Sequence, residues 1–325
     1  MDGCERRWAS RADLDALCGP RLGGVLLEGL WVAGTLDGLY APCVAVVGTR
    51  VPSDDGRRRA RRLAEDLGRA GLCIVSGLAL GIDGAAHEGA LAAGAPTIGV
   101  LGGGHAHFFP PRNRELGARI VASGGAVVSP FAPDVAPQPW QFLARNAVIA
   151  ALADAVVVVE AAARSGALNT AGHGAERGIP VLAFPGDVDR PKAAGCNALI
   201  RDGAILVRDA DDVLAALPSS VAAAARAGRR SRRGGLTTRR GGDAAADGDD
   251  VGAQAGAPEG SARDSPVTRE ILGALRERAC DASRLADRLG IAPPALSTAL
   301  SELELGGRIV LGDDGYALAA PSARD

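Results

Sequence analysis

The sequence predicts an α/β fold in which a mostly parallel sheet is covered by helices on both faces. Two observations carry this prediction: six short runs of β-branched and small apolar residues, and a helical stretch that follows each run after a loop rich in Gly, Ser, Pro or Arg. In such sheets ligands bind beyond the carboxyl ends of the strands, so we expect the functional side chains at that edge. The predicted strands are residues 44–47, 73–76, 97–101, 126–129, 156–159 and 181–184.

Length and composition divide the chain into parts. Its 325 residues can hold one large domain and a small one, and the composition changes near residue 218. We predict a short N-terminal segment over 1–40, an α/β domain over 41–217 and a small domain over 264–320. Residues 218–263 contain almost no large apolar side chains and are predicted to be a disordered linker, because they cannot bury enough surface to offset their ordering entropy.

Charge and cysteine content narrow the class of protein. A formal net charge of −2 argues against coating nucleic acid by bulk charge, so any such binding must be local. The six cysteines are scattered without a C-x-x-C pair, which is typical of small core residues and not of a metal site or a disulfide framework. The sequence shows no signal-peptide pattern and no apolar span of 18 residues. These features predict a soluble cytoplasmic protein with no membrane partner.

The loop after the first predicted strand contains Gly48, Thr49, Arg50 and Ser53, and a helix is predicted from about residue 57 to 70. The loop has neither the G-x-G-x-x-G fingerprint of a dinucleotide site nor a P-loop. A glycine, a hydroxyl and an arginine at a helix N-terminus suit a phosphate. A capped turn with Arg50 in solvent is an equally good interpretation, and this loop alone does not decide between them.

The loops after the second and third strands carry further polar residues. Asp83 stands at the start of a predicted helix, with His87 one turn later. This pair favours a capping carboxylate with a buried polar partner over acid–base catalysis, because no nucleophile adjoins it. In the third loop, Phe109 is followed by Arg112 and Asn113, a mixture suited to stacking on an unpaired base and contacting a phosphate.

Polar residues also flank the fifth strand. Arg145 and Asn146 stand in an otherwise apolar helical run before it. A buried arginine is costly unless paired, so Arg145 is predicted either to point into the crevice or to meet a carboxylate such as Glu160. After the strand, Ser165 and Gly166 open another helix.

Taken together, these junctions resemble the DNA-processing protein A family, also known as DprA or Smf. Each matching piece is short, and the resemblance depends on their common order and spacing. The matching pieces are Val46 to Arg50, Ser76 and Gly77, Gly81 to Asp83, Ala86 and His87, Phe109, Pro110 and Asn113, Arg145 and Asn146, Glu160 and Ala161, Ser165 and Gly166, Leu168, Thr170 and Ala171, Pro185 and Gly186, Gly195 and Asn197, Leu199 and Ile200, and Gly203 and Ala204.

The resemblance implies an extended Rossmann-like, doubly wound domain that binds single-stranded DNA without base specificity and protects it. It also implies a homodimer that helps to load the RecA recombinase during natural transformation, with no reaction, no cofactor and no metal. By position, the resemblance assigns a DNA site to residues of the loops and helices described above. These residues are Gly48, Thr49, Arg50, Ser53, Phe109, Arg112, Asn113, Arg145, Asn146, Arg164, Ser165, Gly166, Lys192 and Asn197.

The chain departs from the family pattern at three places. Ala147 stands where the family usually has a second arginine, and Pro130 stands where it usually has a glutamate. The helical N-terminal domain common in the family is also shortened. These departures change the side chains expected around the pocket, but not the fold.

The C-terminal segment predicts three helices and a hairpin, which resemble a winged helix. Its third helix carries Ser297, Thr298 and Ser301 but no arginine placed to read bases, so protein contact or very weak DNA contact is favoured over sequence-specific DNA binding. The main alternative function is a phosphoribohydrolase-like Rossmann enzyme that processes nucleotides, with Glu160 as a catalytic carboxylate. The P-G-G-x-G-T-x-x-E motif that marks those enzymes does not occur in this sequence.

Overall fold

A computed structural model of the chain describes residues 5–22, 27–221, 223, 266–277, 282–291, 296, 299, 300, 303, 308–312 and 315–318. The chain divides into two units, Met1–Arg230 and Ser231–Asp325. Most of the linker predicted over 218–263 lies outside the described residues, as does most of the predicted third helix of the C-terminal segment.

The first unit is built on a nine-stranded sheet with the order β1-β2-β6-β5-β4-β3-β7-β8-β9. The neighbours from β6 to β9 in this order are parallel, whereas β2 pairs antiparallel with both β6 and β1. The predicted fold class, a mostly parallel α/β sheet, is confirmed. The strands are β1 (Arg6–Ser10), β2 (Gly29–Gly34), β3 (Cys43–Val47), β4 (Cys73–Ser76), β5 (Thr97–Val100), β6 (Ala126–Ser129), β7 (Ala155–Val158), β8 (Val181–Ala183) and β9 (Ile205–Leu206).

Helices cover both faces of this sheet. Along β3, Cys43, Ala45 and Val47 join the core under α1, α5, α6 and α7, whereas Val44 and Val46 join the core under α2, α3 and α8. This alternation follows from the two-residue period of a strand, and burial on both faces explains why the strand is apolar throughout. The helices are α1 (Arg11–Cys18), α2 (Asp54–Arg69), α3 (Ile82–Ala92), α4 (Arg114–Ala122), α5 (Pro139–Ala151), α6 (Ala167–Glu176), α7 (Ala194–Arg201) and α8 (Ala210–Ala216).

Three strands were not predicted from the sequence. β1 and β2 lie within residues 1–40 and extend the sheet beyond β6. Leu30 and Val32 of β2 are fully buried, whereas Trp31 between them is only partly buried. Because neither Leu30 nor Trp31 is β-branched or small, β2 lacks the continuous run that predicted the other strands. The third addition, β9, has two residues and was too short to give a signal.

Helix α2 begins at Asp54, earlier than the predicted start near residue 57. Ser53 is its N-cap, and the Ser53 hydroxyl accepts a hydrogen bond from the Gly56 N–H at 3.0 Å. The Asp54 and Asp55 carboxylates in the first turn also favour this start, because they complement the helix dipole.

The order of the strands reverses at β3. β4, β5 and β6 lie in turn on one side of β3, while β7, β8 and β9 lie on the other. The loops that follow β3 and β7 therefore lead to opposite sides of the sheet and leave a crevice above its carboxyl edge. This switch point is where a ligand is expected.

The second unit contains α9 (Pro266–Glu277), α10 (Ala282–Leu289) and an antiparallel hairpin of β10 (Ile309–Gly312) and β11 (Gly315–Leu318). It has its own apolar core, to which Ile271, Leu285 and Ile309 contribute fully buried side chains. The helices and the hairpin agree with the predicted winged-helix pattern.

Candidate nucleic-acid interface

A cleft of about 280 Å³ lies at the switch point. Its walls come from the loops after β3, β4 and β7 and from the helices α5 and α6. Several residues assigned to the DNA site are brought together in its lining, although they are far apart in the sequence. They are Gly48, Thr49, Arg50, Arg145, Asn146, Ser165 and Gly166.

The loop after β3 presents Arg50 to this cleft. The side chain is exposed, and its guanidinium carbon lies 5.5 Å from the centroid of the Phe142 ring. Among the described residues, no carboxylate forms an ion pair with Arg50. A β-carbon on Gly48 would lie 2.6 Å from Cγ1 of Ile82, so this glycine allows the loop to pack closely on α3. Arg50 is therefore held at the cleft mouth with its charge available to a ligand.

The second cation of the cleft, Arg145, is bound quite differently. It is 4% exposed, and its Nη1 donates to the Val100 carbonyl at 2.6 Å and to the Gly77 carbonyl. Burial lowers the pKa of Arg145 to about 10, while the nearby Asp83 carboxylate opposes this shift. Arg145 thus remains charged at neutral pH and joins α5 to the ends of β4 and β5. Arg145 lines the crevice, which is the first of the two alternatives predicted for it. It also has a carboxylate as its countercharge, but this carboxylate is Asp83 and not Glu160.

Aromatic side chains stand beside the two arginines. Phe109 is 46% exposed, and its ring meets that of Phe142 edge-on, with 5.7 Å between centroids. The Arg145 guanidinium carbon lies 6.0 Å from the Phe142 centroid. A smaller cavity of about 110 Å³, lined by these four side chains among others, lies between Arg50 and Phe109. Sequence analysis missed Phe142, although it precedes Arg145 by three residues and so shares its helix face.

The far wall of the cleft is the N-terminus of α6. Nδ2 of Asn146 donates to the Gly166 carbonyl at 3.2 Å and to Oδ1 of Asn169 at 3.1 Å. The Asn146 side chain therefore fixes α5 against the start of α6. Ser165 and Gly166 precede the first residue of that helix, where the helix dipole favours an anion.

Ser53 and Lys192 line a separate cavity of about 340 Å³. Glu160 closes one side of it, because its carboxylate accepts hydrogen bonds from the Ser53 N–H at 2.9 Å and from the Ser53 hydroxyl. Ser53 thus caps α2 and ties that helix to the loop after β7. Lys192 is exposed on a short 3-10 turn, Pro191–Ala193.

The remaining residues assigned to the DNA site line none of these cavities. Asn113 uses both protons of its amide on the carbonyls of Leu78, at 2.8 Å, and Ala79, at 3.0 Å. Asn197 exchanges two hydrogen bonds, both of 3.1 Å, with the backbone of Gly186. Both asparagines hold loops in place. Arg112 and Arg164 are exposed, Arg112 on the 3-10 turn Pro111–Asn113 and Arg164 on the loop before α6.

The Asp83 and His87 side chains are buried but do not pair with each other. Asp83 accepts a hydrogen bond from the Gly77 N–H at 3.1 Å, so it fixes the loop after β4 instead of capping its own helix, whose N-cap is Gly81. Nδ1 of His87 lies 2.7 Å from the Thr97 hydroxyl. Burial lowers the pKa of His87 to about 3, so the ring is neutral. Both contacts fit the structural interpretation of these residues.

In the part of the chain that the structure describes, no group of three or more His, Cys, Asp and Glu side chains is arranged to hold a metal ion. The helices in that part are also too short or too polar for any of them to cross a membrane.

Family models match both units of the chain. The model of DNA recombination-mediator protein A matches residues 27–218, and the model of the DprA winged helix domain matches residues 255–315. The second match confirms the predicted winged-helix-like domain.

Curated relatives match the first unit. Protein Smf of Escherichia coli is 44% identical over 185 residues, which are 57% of this chain and 50% of that protein. DNA processing protein DprA of Streptococcus pneumoniae is 42% identical over 186 residues, 57% of this chain and 65% of that protein. The chain thus spans about half the length of the curated relatives it matches.

Solved structures show the same fold. DNA processing protein A of Streptococcus pneumoniae aligns with a TM-score of 0.60 and 38% identity, covering 66% of this chain and 75% of that one. The Helicobacter pylori protein aligns with a TM-score of 0.57 and 26% identity, covering 65% and 94%. That second structure was described for the single-stranded DNA binding mode of the Helicobacter protein.

Proposed function

The chain belongs to the DNA recombination-mediator protein A family, and from this premise we propose that its switch-point cleft binds single-stranded DNA without base specificity. One observation carries the proposal: Arg50 is exposed at the cleft mouth, over the Phe142 ring and close to the half-exposed Phe109 ring. This arrangement offers a cation for a phosphate and a ring for a base.

The preference for single strands follows from the same geometry. A base can stack on Phe109 only when it is unpaired and unstacked from its neighbours, which a duplex does not allow without melting. The backbone phosphates would then lie near Arg50 and the N-terminus of α6.

The lack of base specificity follows from the bonding of the amides. Sequence is read by side chains that offer paired donors and acceptors to base edges. In and near the cleft, the amide protons of Asn146 and Asn113 are donated to protein oxygens. Ring faces and a helix dipole do not distinguish one base from another, and Arg50 is expected to bind a phosphate rather than a base edge.

The proposal extends to the role implied by the family resemblance. We propose that the chain acts as a homodimer that protects incoming single strands and helps to load RecA during natural transformation, an activity of the cytoplasm. The family description as a recombination mediator supports this extension. We propose no catalytic step. The alternative phosphoribohydrolase-like role would require Glu160, but this carboxylate is engaged by Ser53 in capping α2.

The test compares fluorescent oligonucleotides by anisotropy. We expect tighter binding of single strands than of a blunt duplex of the same length, and similar affinity for oligo-dT and a mixed sequence. The logarithm of the affinity should fall linearly with the logarithm of salt concentration, with a slope of about −0.7 for each phosphate neutralised. Equal affinity for the duplex, or an affinity that salt does not change, would rule out the proposed site.

A further inference from the structure

The aromatic side chains of the first unit are concentrated at one edge of the sheet. Aromatic residues make up only 3% of the chain, with three tryptophans in total. Yet three ring pairs occur in this unit, and together they contain every tryptophan of the chain. The pairs are Trp8 with Trp31 at 5.4 Å, Phe131 with Trp140 at 5.7 Å, and Phe109 with Phe142 at 5.7 Å between centroids.

The strand register places the tryptophan pair at the carboxyl edge. Trp31 of β2 is paired with Ser129, the last residue of β6, and Trp8 of β1 is paired with Trp31. Because β2 runs antiparallel to β6, Gly29 lies beyond the carboxyl end of β6. The Trp8 ring covers this glycine: a β-carbon there would lie 2.4 Å from Cζ2 of Trp8. The ring is therefore directed toward the edge that holds the cleft.

The second ring pair lies between the cleft and the tryptophan pair. Phe131 stands in the loop immediately after β6, and Trp140 stands in the first turn of α5, the helix that carries Phe142. In the strand order, β6 lies between β3, which leads into the cleft, and the outer strands β2 and β1. The three ring pairs therefore follow one another along a single edge.

From this arrangement we propose that single-stranded DNA continues from the cleft along the carboxyl edge of the sheet and stacks on Trp8 at the end of that path. The proposal rests on the proposed function. Adjacent strands are spaced by about 4.8 Å, so the five steps from β3 to β1 span about 24 Å. At the duplex spacing of about 3.4 Å for each nucleotide, this distance corresponds to roughly seven nucleotides, and an unstacked, more extended strand covers it with fewer.

Exposure and charge at Trp8 favour this role over a purely structural one. A cross-strand ring pair by itself stabilises a hairpin. Trp8, however, lies on the outermost strand and is 42% exposed. Arg6 precedes it by two residues and so lies on the same strand face, and the buried Nε of Arg6 has no hydrogen-bond partner. A ring for a base beside a cation for a phosphate is the combination used by single-strand binding surfaces.

The experiment compares dT4, which fills only the cleft, with dT20, which reaches the tryptophans. We expect Trp8→Leu to weaken dT20 binding about fivefold or more, the loss of one stacked base, while dT4 affinity stays unchanged. Trp8→Phe should restore dT20 binding. In the unaltered chain, dT20 at saturation should quench tryptophan emission more than saturating dT4.

The matched control is Tyr40→Leu. Tyr40 is 69% exposed and lies in the turn Asp37–Tyr40 before β3, at the amino ends of the parallel strands. Its replacement should change neither affinity.

Any other outcome contradicts the proposed path of the DNA from the cleft to Trp8. If Trp8→Leu leaves dT20 binding unchanged, the strand does not reach Trp8, although dT4 binding still supports the cleft. If Trp8→Leu weakens dT4 and dT20 equally, the ring acts through the fold. If the unaltered chain binds neither oligonucleotide, the proposed function fails and the path fails with it.

Discussion

The two arginines of the cleft illustrate how burial assigns roles to identical side chains. Arg145 donates to backbone carbonyls and is balanced by Asp83, so its charge is already compensated within the protein. Arg50 is exposed and makes no ion pair with any described residue. A phosphate can therefore approach Arg50 without displacing a protein partner, and we expect it to make the direct contact.

Replacing Arg50 by Glu should greatly weaken single-strand binding and leave the fold intact. One charge-assisted hydrogen bond contributes about 1.5 to 3 kcal/mol, which corresponds to roughly ten- to a hundredfold in affinity, and the reversed charge adds repulsion. Affinity and thermal unfolding should be measured on the same preparations. Arg62→Glu is the control, because the Arg62 side chain is 87% exposed on α2. If a folded Arg50→Glu variant binds single-stranded DNA as tightly as the unaltered chain, the cleft is not the DNA site.

For single residues, the sequence predicted where a side chain lies in the fold better than it predicted the hydrogen bonds that the side chain makes. Arg50, Ser165 and Gly166 follow strands directly, so the topology of a parallel sheet brings them to one edge. The bonds of Asn113 to the carbonyls of Leu78 and Ala79 depend on how one loop folds over another, which no local pattern encodes.

Among the elements, the six strands buried on both faces were predictable because each is a continuous run of small and β-branched residues. The strands β1, β2 and β9 were missed for the opposite reason: each is short or lacks such a continuous run. The packing of α3 against the sheet depended on long-range partners as well. His87 on α3 bonds to Thr97 on β5, and the Thr97 hydroxyl donates to the Ile74 carbonyl of β4 at 2.8 Å.

This link between α3, β4 and β5 should make the stability of the first unit sensitive to acid. Burial holds the pKa of His87 near 3, well below its ordinary 6.5. Between these values the unfolded chain binds a proton that the folded chain does not. The stabilisation is therefore complete above pH 6.5 and is lost as the pH falls, by up to about 1.4 kcal/mol for each pH unit.

Urea denaturation at pH 7.5 and pH 5.0 measures this effect. The unaltered chain should lose more stability between the two values than His87→Asn does, by up to about 2 kcal/mol. His107→Asn, at an exposed position, should behave like the unaltered chain. The same loss in His87→Asn and in the unaltered chain would show that His87 does not titrate in this way.

Each of the two units of the chain has an apolar core of its own. In the first unit, helix α8 contributes Val213 to the core, the following Leu217 is also buried, and Val221 packs against this core from a position after α8. A change in composition was enough to predict a division near residue 218. The exact domain boundaries stay a prediction. A change in composition shows where large apolar residues become rare, but not which residue is the last to pack against the core.

A chain truncated after Val221 should fold and bind single-stranded DNA, because it keeps the nine-stranded sheet, both of its helical layers and the whole cleft. The segment removed contains Arg226, Arg229 and Arg230, whose charge adds non-specific attraction for phosphates, so a loss of a few-fold in affinity is expected. Circular dichroism checks the fold, and anisotropy with dT20 at two salt concentrations checks binding. The residual affinity should still respond to Arg50→Glu in the truncated chain. Near-complete loss of binding by a folded truncation would instead assign the DNA site to residues after 221.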